Sequence, residues 1–170
     1  MAAGLYESWL VLSAASSSIS SPTLVTVMEM TAVDVGRYQF DCQLVYQTTA
    51  TTTGINVGVT HTGTLTQFLQ EATFISTGST AATKAASNAD QATTLGLVEG
   101  EGNRTKDTAI GTSGNFIISV DAANTNMIVK ISGYFVVSVT GSFQIKLGSE
   151  SGVLVCTARE GSSLILRKLS

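Results

Sequence analysis

The sequence predicts an all-β protein, an antiparallel two-sheet sandwich with an N-terminal arm. Three observations predict it. Apolar and polar residues alternate with period two along several segments, the pattern of strands buried on one face. The segments are short and are separated by turns of Gly, Asn, Asp and Ser. Helical periodicity is almost absent, and about eight to ten short strands with Gly-rich turns fit a sandwich.

Composition sets the frame. The chain has 170 residues, the size of one large domain or of a domain with an arm. Charged residues make up 12%, about half the ordinary share, while Ser and Thr together are roughly a quarter of the chain. The polar surface is therefore built from hydroxyls. Thr is β-branched and suits a pleated strand. A mean hydropathy of +0.30 points either to a large core or to apolar surface hidden against other chains, and the second is the leading expectation because obligate interfaces are more apolar than free surface. Net charge is −3, and Arg167-Lys168 is the one basic pair that stands out, so no nucleic-acid partner is expected. No apolar stretch is long enough for a bilayer helix, so no membrane partner is expected.

In chain order, residues 1–21 are expected to form the arm and its hinge, and 22–170 the sandwich domain. Leu5, Tyr6, Trp9, Leu10 and Leu12 make residues 1–13 apolar. An isolated terminus would expose these side chains, so they are expected to dock on something; they equally suit a first strand of the same domain. A secretion signal is disfavoured, since Glu7 stands where a basic residue belongs. Ala14 to Ser21 is nearly all Ser and Ala and reads as a hinge.

Thr23 to Thr31 is a strand candidate. The cleanest strand follows: Tyr38, Phe40, Cys42, Leu44 and Tyr46 on one face, with Gln39, Asp41, Gln43 and Gln47 on the other and Val45 as the exception. Thr48 to Thr53 reads as a tolerant loop or strand edge, and Ile55 to His61 as a strand. Thr66 to Thr73 suits either a helical turn or a strand. Residues 78–92 and 100–114 read as long surface loops, ordered by contact with neighbours. Asn115 to Val120 is another strand.

Asn126 to Ser138 is apolar on both faces, and a strand of that kind must be covered twice. One cover is the core; a neighbouring subunit is the expected second, and loops of the same chain are the alternative. Phe143, Ile145 and Leu147 alternate with Ser142, Gln144 and Lys146. Ser163 to Leu169 closes the chain, with apolar residues on both faces. Thr140-Gly141, Ser151-Gly152 and Glu160-Gly161 read as hairpin turns of a C-terminal meander or Greek key.

The sequence carries little catalytic or metal-binding chemistry. His61, the sole histidine, has no nucleophile elbow beside it and reads as a surface or loop residue. Glu99, Glu101 and Asp107 could offer oxygens to Ca²⁺, but no loop pattern fixes them. Asn103-Arg-Thr105 has the form of a glycosylation acceptor. Cys42 and Cys156 lie in apolar strand patterns and read as buried free thiols. No enzyme, no cofactor and no metal is expected.

Tyr38-Gln-Phe40 with Leu44, Thr49-Ala50 and Gly54, and above all Ile131-Ser-Gly133-Tyr-Phe, Gly141-Ser-Phe143-Gln-Ile-Lys-Leu147, Gly152-Val153 and Gly161-Ser-Ser-Leu164, resemble a recurring phage virion domain. It occurs in head cement or decoration proteins and in tail fibres. That domain is a jelly roll similar to the tumour-necrosis-factor and C1q type, and it forms homotrimers. The resemblance covers residues 23–169, most closely the last forty or so, and leaves 62–114 unmatched. It implies a virion structural protein at the capsid surface, assembled in the host cytoplasm. A capsid cement protein binding the major capsid protein is the leading expectation, given the small chain and the lack of a fibre shaft. A tail-fibre or receptor-binding tip or adaptor is the alternative. Ile128, Tyr134, Val136 and Ile165 are then the expected trimer interface. Leu5, Tyr6, Trp9 and Leu10 are the expected capsid contact.

Overall fold

The structure is a computed structural model, and it describes residues 6–50, 54–74, 103–107, 116–118, 123–149 and 152–169. Its strands are β1 (Tyr6–Val11), β2 (Val25–Val33), β3 (Gly36–Thr48), β4 (Ile55–His61), β5 (Thr64–Phe74), β6 (Asn103–Asp107), β7 (Phe116–Ile118), β8 (Met127–Val139), β9 (Gly141–Ser149), β10 (Cys156–Ala158) and β11 (Ser163–Lys168). Among the described residues there is no helix.

Two antiparallel sheets form a sandwich. The larger has the order β1-β11-β3-β8-β5-β6, with β10 also paired to β3; the smaller has the order β2-β9-β4-β7. Strands next to each other in the chain mostly fall in opposite sheets. Setting aside β5, β6 and β10, the two four-strand sets β1-β11-β3-β8 and β2-β9-β4-β7 give a jelly-roll-like connectivity. The β5–β6 pair widens the larger sheet beyond β8.

Alternation places the core. The even residues of β3 from Tyr38 to Tyr46 are buried, and so are Val129, Ile131, Phe135 and Val137 of β8 and Phe143, Ile145 and Leu147 of β9. The centre is aromatic. Phe135 of the larger sheet stacks on Phe143 of the smaller one, with centroids 4.7 Å apart and planes at 14°. Tyr38 stacks on the same Phe135 at 5.2 Å, and Phe40 meets Phe143 at 5.0 Å. Stacked pairs add about 0.5–1.5 kcal/mol beyond the area they bury.

The N-terminal segment is a strand of the sandwich. β1 pairs with β11 along its whole length. The Ser/Ala run read as a hinge is pinned. Ser16 N–H donates to Ala158 O at 2.9 Å, and Ile19, in the core, exchanges backbone bonds of 2.9 Å with Cys156. Small side chains let this run lie close against β10.

Other expectations shift. Thr66 to Thr73 is strand throughout, inside β5, because Leu65, Phe68 and Ala72 fill the core. Part of the expected loop at 100–114 is β6, paired to β5 by its backbone despite a polar sequence. The loop expected at 78–92 lies outside the described residues. Val120 does too, whereas Phe116–Ile118 form β7.

The three C-terminal turns are not hairpins. Thr140 carries the chain from β8 in one sheet to β9 in the other, and the link across Gly152 carries it back to β10. Gly, Ser and Thr serve a corner between sheets as well as a hairpin, so the turn residues alone did not discriminate. β10 and β11 lie along the same neighbour, β3, and are parted by a bulge at Arg159–Ser162. Opposite that bulge Val45 has no residue of β10 or β11 in register, though its O accepts the Arg159 N–H at 2.7 Å. Its N–H donates instead to Ser162 Oγ at 3.0 Å, and that hydroxyl donates to Arg159 O at 2.8 Å. Ser162 is fully buried, so a side chain satisfies the orphaned backbone group.

Truncating the central ring is expected to be costly. Phe135→Ala should lower unfolding free energy by about 3–5 kcal/mol. Val139→Ala, four residues on and 54% exposed, should change it by less than about 0.5 kcal/mol. Urea denaturation followed by circular dichroism measures both.

Candidate functional site

The face of the larger sheet turned away from the core is the most distinctive surface. Register defines its rows, because residues directly opposite one another share a face. One row runs Trp9, Ile165, Asp41, Ser132, Glu71; the next runs Glu7, Arg167, Gln39, Tyr134, Leu69. Arg167 sits between two carboxylates. Its Nε lies 3.6 Å from Glu7 Oε1, and its Nη1 donates to Asp41 Oδ2. The three side chains span β1, β11 and β3. The pairs are partly solvent-exposed, so each contributes at most about 1 kcal/mol.

All four residues expected at a trimer interface lie on this face, each half-buried. Tyr134 and Val136 adjoin Leu69 in one apolar patch. Ile165 is two strands away beside Trp9. Ile128 lies opposite Val45 near the other end of β8, about 20 Å from Tyr134 at 3.4 Å per residue. They share a face but not a patch. Leu69 was missed because its segment suited helix and strand equally; its place in the patch follows from the β5–β8 register.

Of the expected capsid contacts, Leu5 lies outside the described residues. Tyr6 and Trp9 are both 75% exposed. Leu10 does not belong with them, since it packs against the core. Period two puts Tyr6 and Leu10 on one face of β1 and Trp9 on the other. β1 is an edge strand. A groove of about 660 Å³ separates it from β2, lined by Tyr6, Leu10, Met30, Val33 and Lys168 among others.

A depression of about 450 Å³ lies over Gly133 on the outer face, between Gln39, Asp41, Leu69, Glu71, Ser132 and Tyr134. Asp41 and Glu71 flank Ser132 from the two neighbouring strands, two strand spacings or about 10 Å apart.

The residues considered for chemistry do not assemble. His61 is buried rather than on the surface, with its ring tilted against Phe135 at 6.2 Å. Burial holds its pKa below the ordinary imidazole value, and the backbone at Gly63 offsets part of that shift. Glu99 and Glu101 lie outside the described residues, and Asp107, Asn103 and Thr105 fall on β6. Among the described residues, no three His, Cys, Asp or Glu side chains gather as metal ligands. Cys42 and Cys156 are buried free thiols. Cys156 faces Thr48, six residues along β3 from Cys42. That spacing of about 20 Å is far beyond disulfide reach.

No protein-family model, curated protein or solved structure matches this chain. Fold and surface together define an antiparallel β-sandwich of jelly-roll-like connectivity. One of its sheet faces and one of its sheet edges present apolar side chains to solvent.

Burial pushes the Cys42 thiol up to about 12 and the Cys156 thiol up to about 11. Since the thiolate is the reactive form, neither cysteine should react with a disulfide reagent near pH 8 in the folded protein. Two equivalents should react in denaturant. Rapid reaction of either thiol before unfolding would contradict the packing described.

Proposed function

We propose that the protein is a virion structural protein, a cement or decoration protein of a phage head. In this reading it forms homotrimers that bind between major capsid proteins and hold the shell against internal pressure. The observation that carries the reading is the outer face of the larger sheet. It carries an apolar patch of Leu69, Tyr134 and Val136 and, two strands further on, Ile165 and Trp9 at an open edge whose other face bears Tyr6.

The two parts suit two contacts. The patch on β5 and β8 fits self-association, the second cover that a strand apolar on both faces needs. The aromatic pair on β1, with Ile165 beside Trp9, fits the capsid, since exposed aromatic anchors dominate binding energy at interfaces. An edge strand also offers unpaired backbone to a partner. Interfaces of about 800 Å² per partner are ordinary, and three linked copies would sum modest contacts into firm attachment. Low charge and hydroxyl-rich strands suit close packing on a lattice without repulsion. Buried free thiols suit assembly in the reducing cytoplasm of a host. The resemblance at Ile131–Phe135 and Gly141–Leu147 supports the same reading.

The decisive test compares images of virions with and without the protein. Threefold density at repeated lattice positions across the shell is expected. Density confined to the tail would sink the cement reading and favour a fibre tip or adaptor. Two substitutions separate the contacts. Tyr134→Glu should give a monomer in sedimentation velocity with its β-sheet circular dichroism intact. Trp9→Ala should leave the trimer and weaken capsid binding at least about tenfold. Unchanged binding would refute the role of β1.

A further inference from the structure

His61 lies where two chain crossings meet. At Thr62-Gly63 the chain leaves β4 in the smaller sheet for β5 in the larger. At Thr140 it leaves β8 in the larger for β9 in the smaller. The crossings are bound together. Thr62 N–H donates to Ser142 O at 3.0 Å, and Ser142 N–H donates to Thr62 Oγ1 at 2.7 Å. Their backbones touch so closely that only glycine fits. A Cβ on Gly63 would fall 2.0 Å from Val139 O, and one on Gly141 would fall 2.2 Å from Gly63 N.

The imidazole is wedged beneath both. Either added Cβ would lie 2.9 Å from His61 Cε1. Nδ1 accepts the Gly63 N–H at 3.1 Å. In the neutral ring the proton is then on Nε2, which is shut off from solvent and has no hydrogen-bond partner among the described residues. Among the described residues no counter-charge faces the ring either. Its neighbours Phe135 on β8 and Phe143 on β9 are apolar. The titratable groups turned inward on β3 are the phenols of Tyr38 and Tyr46 and the thiol of Cys42, and no buried residue among those described carries a carboxylate, an amine or a guanidinium. Glu29 on β2 and Lys130, Lys146 and Glu71 on β8, β9 and β5 occupy the outer faces.

We infer that His61 is an acid-sensitive latch: neutral, it closes the corner formed by the two crossings, and on protonation it opens that corner. A proton from solvent would bind the Nδ1 lone pair, the acceptor of the Gly63 N–H. Two N–H groups would then face each other, and a cation would stand among phenylalanines with no partner. The cost is relieved by letting residues 61–64 and 139–142 separate and admit water. The sign follows from burial. The folded-state pKa lies below the ordinary 6.5. The unfolded chain therefore binds the proton more readily, and stability is full above that value and is lost as pH falls through the folded-state pKa. In a particle the opening would loosen the end of the sandwich near Val136 without unfolding it.

The chain has one histidine, so its imidazole gives a single nuclear magnetic resonance titration. A midpoint below 6.5 is expected; a midpoint at or above that value overturns the inference. Amide exchange at 61–64 and 139–142, corrected for intrinsic rates, should accelerate more than about tenfold between pH 7.5 and pH 5. Amides along the centre of β3 should stay protected. His61→Gln keeps an acceptor for Gly63 but cannot take up the proton, so the acceleration should vanish. The same acceleration in that variant would overturn the latch. Should the variant fail to fold, the wild-type shifts decide: the Gly63 and Ser142 amides must move at the imidazole's midpoint, and their standing still refutes it.

Discussion

Phe135 and Phe143 stack across the interior, one ring from each sheet, and the rest of the sandwich is arranged around that contact. They are separated in the chain by eight positions, which include a crossing between sheets. A chain that must move about 10 Å from one sheet to the next and bring two rings face to face has few conformations available. The crossing is short, its glycines lie against a second crossing, and the ring of His61 fills what space is left. Tyr38 and Phe40 then extend the aromatic cluster along β3. The order of the sheets follows, because β3 and β8 pair over eleven residues once their inward rings are in register.

Much of this was legible in the residues. β3 and β4 announced themselves by alternation and by β-branched and aromatic content, and β8 by its two apolar rows. What was not legible was which neighbours each strand would choose. Thr140-Gly141 has the residues of a tight turn, and a tight turn that joins strands of one sheet differs from a corner between sheets by backbone direction, not by composition. His61 looked like a surface residue because threonines flank it, yet alternation from Ile55 places it inward with Val57 and Val59. β6 carries no apolar signal at all: Asn103 to Asp107 is polar throughout and is held as a strand by the backbone of β5. The outer-face site was half visible. Tyr134, Val136 and Ile165 stood out as surplus apolar residues, while Leu69 and the split into two patches depended on register.

The two edge strands at the same end of the sandwich are treated differently. β2 has register irregularities at Thr26/Met28 and Met30/Val33, and Ala32 adopts a left-handed φ of 55°. Bulges of this kind twist an edge away from further pairing. β1 runs in unbroken register against β11, with none of that protection and with two large aromatic side chains exposed. The contrast makes β1 the edge on which a partner strand could be received.

The single tryptophan of the chain is therefore outside the core, on a strand whose residues are exposed save for Leu10. Its indole passes from water to water when the sandwich unfolds, so its emission is nearly silent on stability. It changes surroundings only when something is laid against β1. The buried rings of Tyr38 and Tyr46 hold the opposite position and carry the optical signature of internal packing. Two colours of aromatic signal thus divide between them what most proteins confound, the closing of the fold and the arrival of a neighbour.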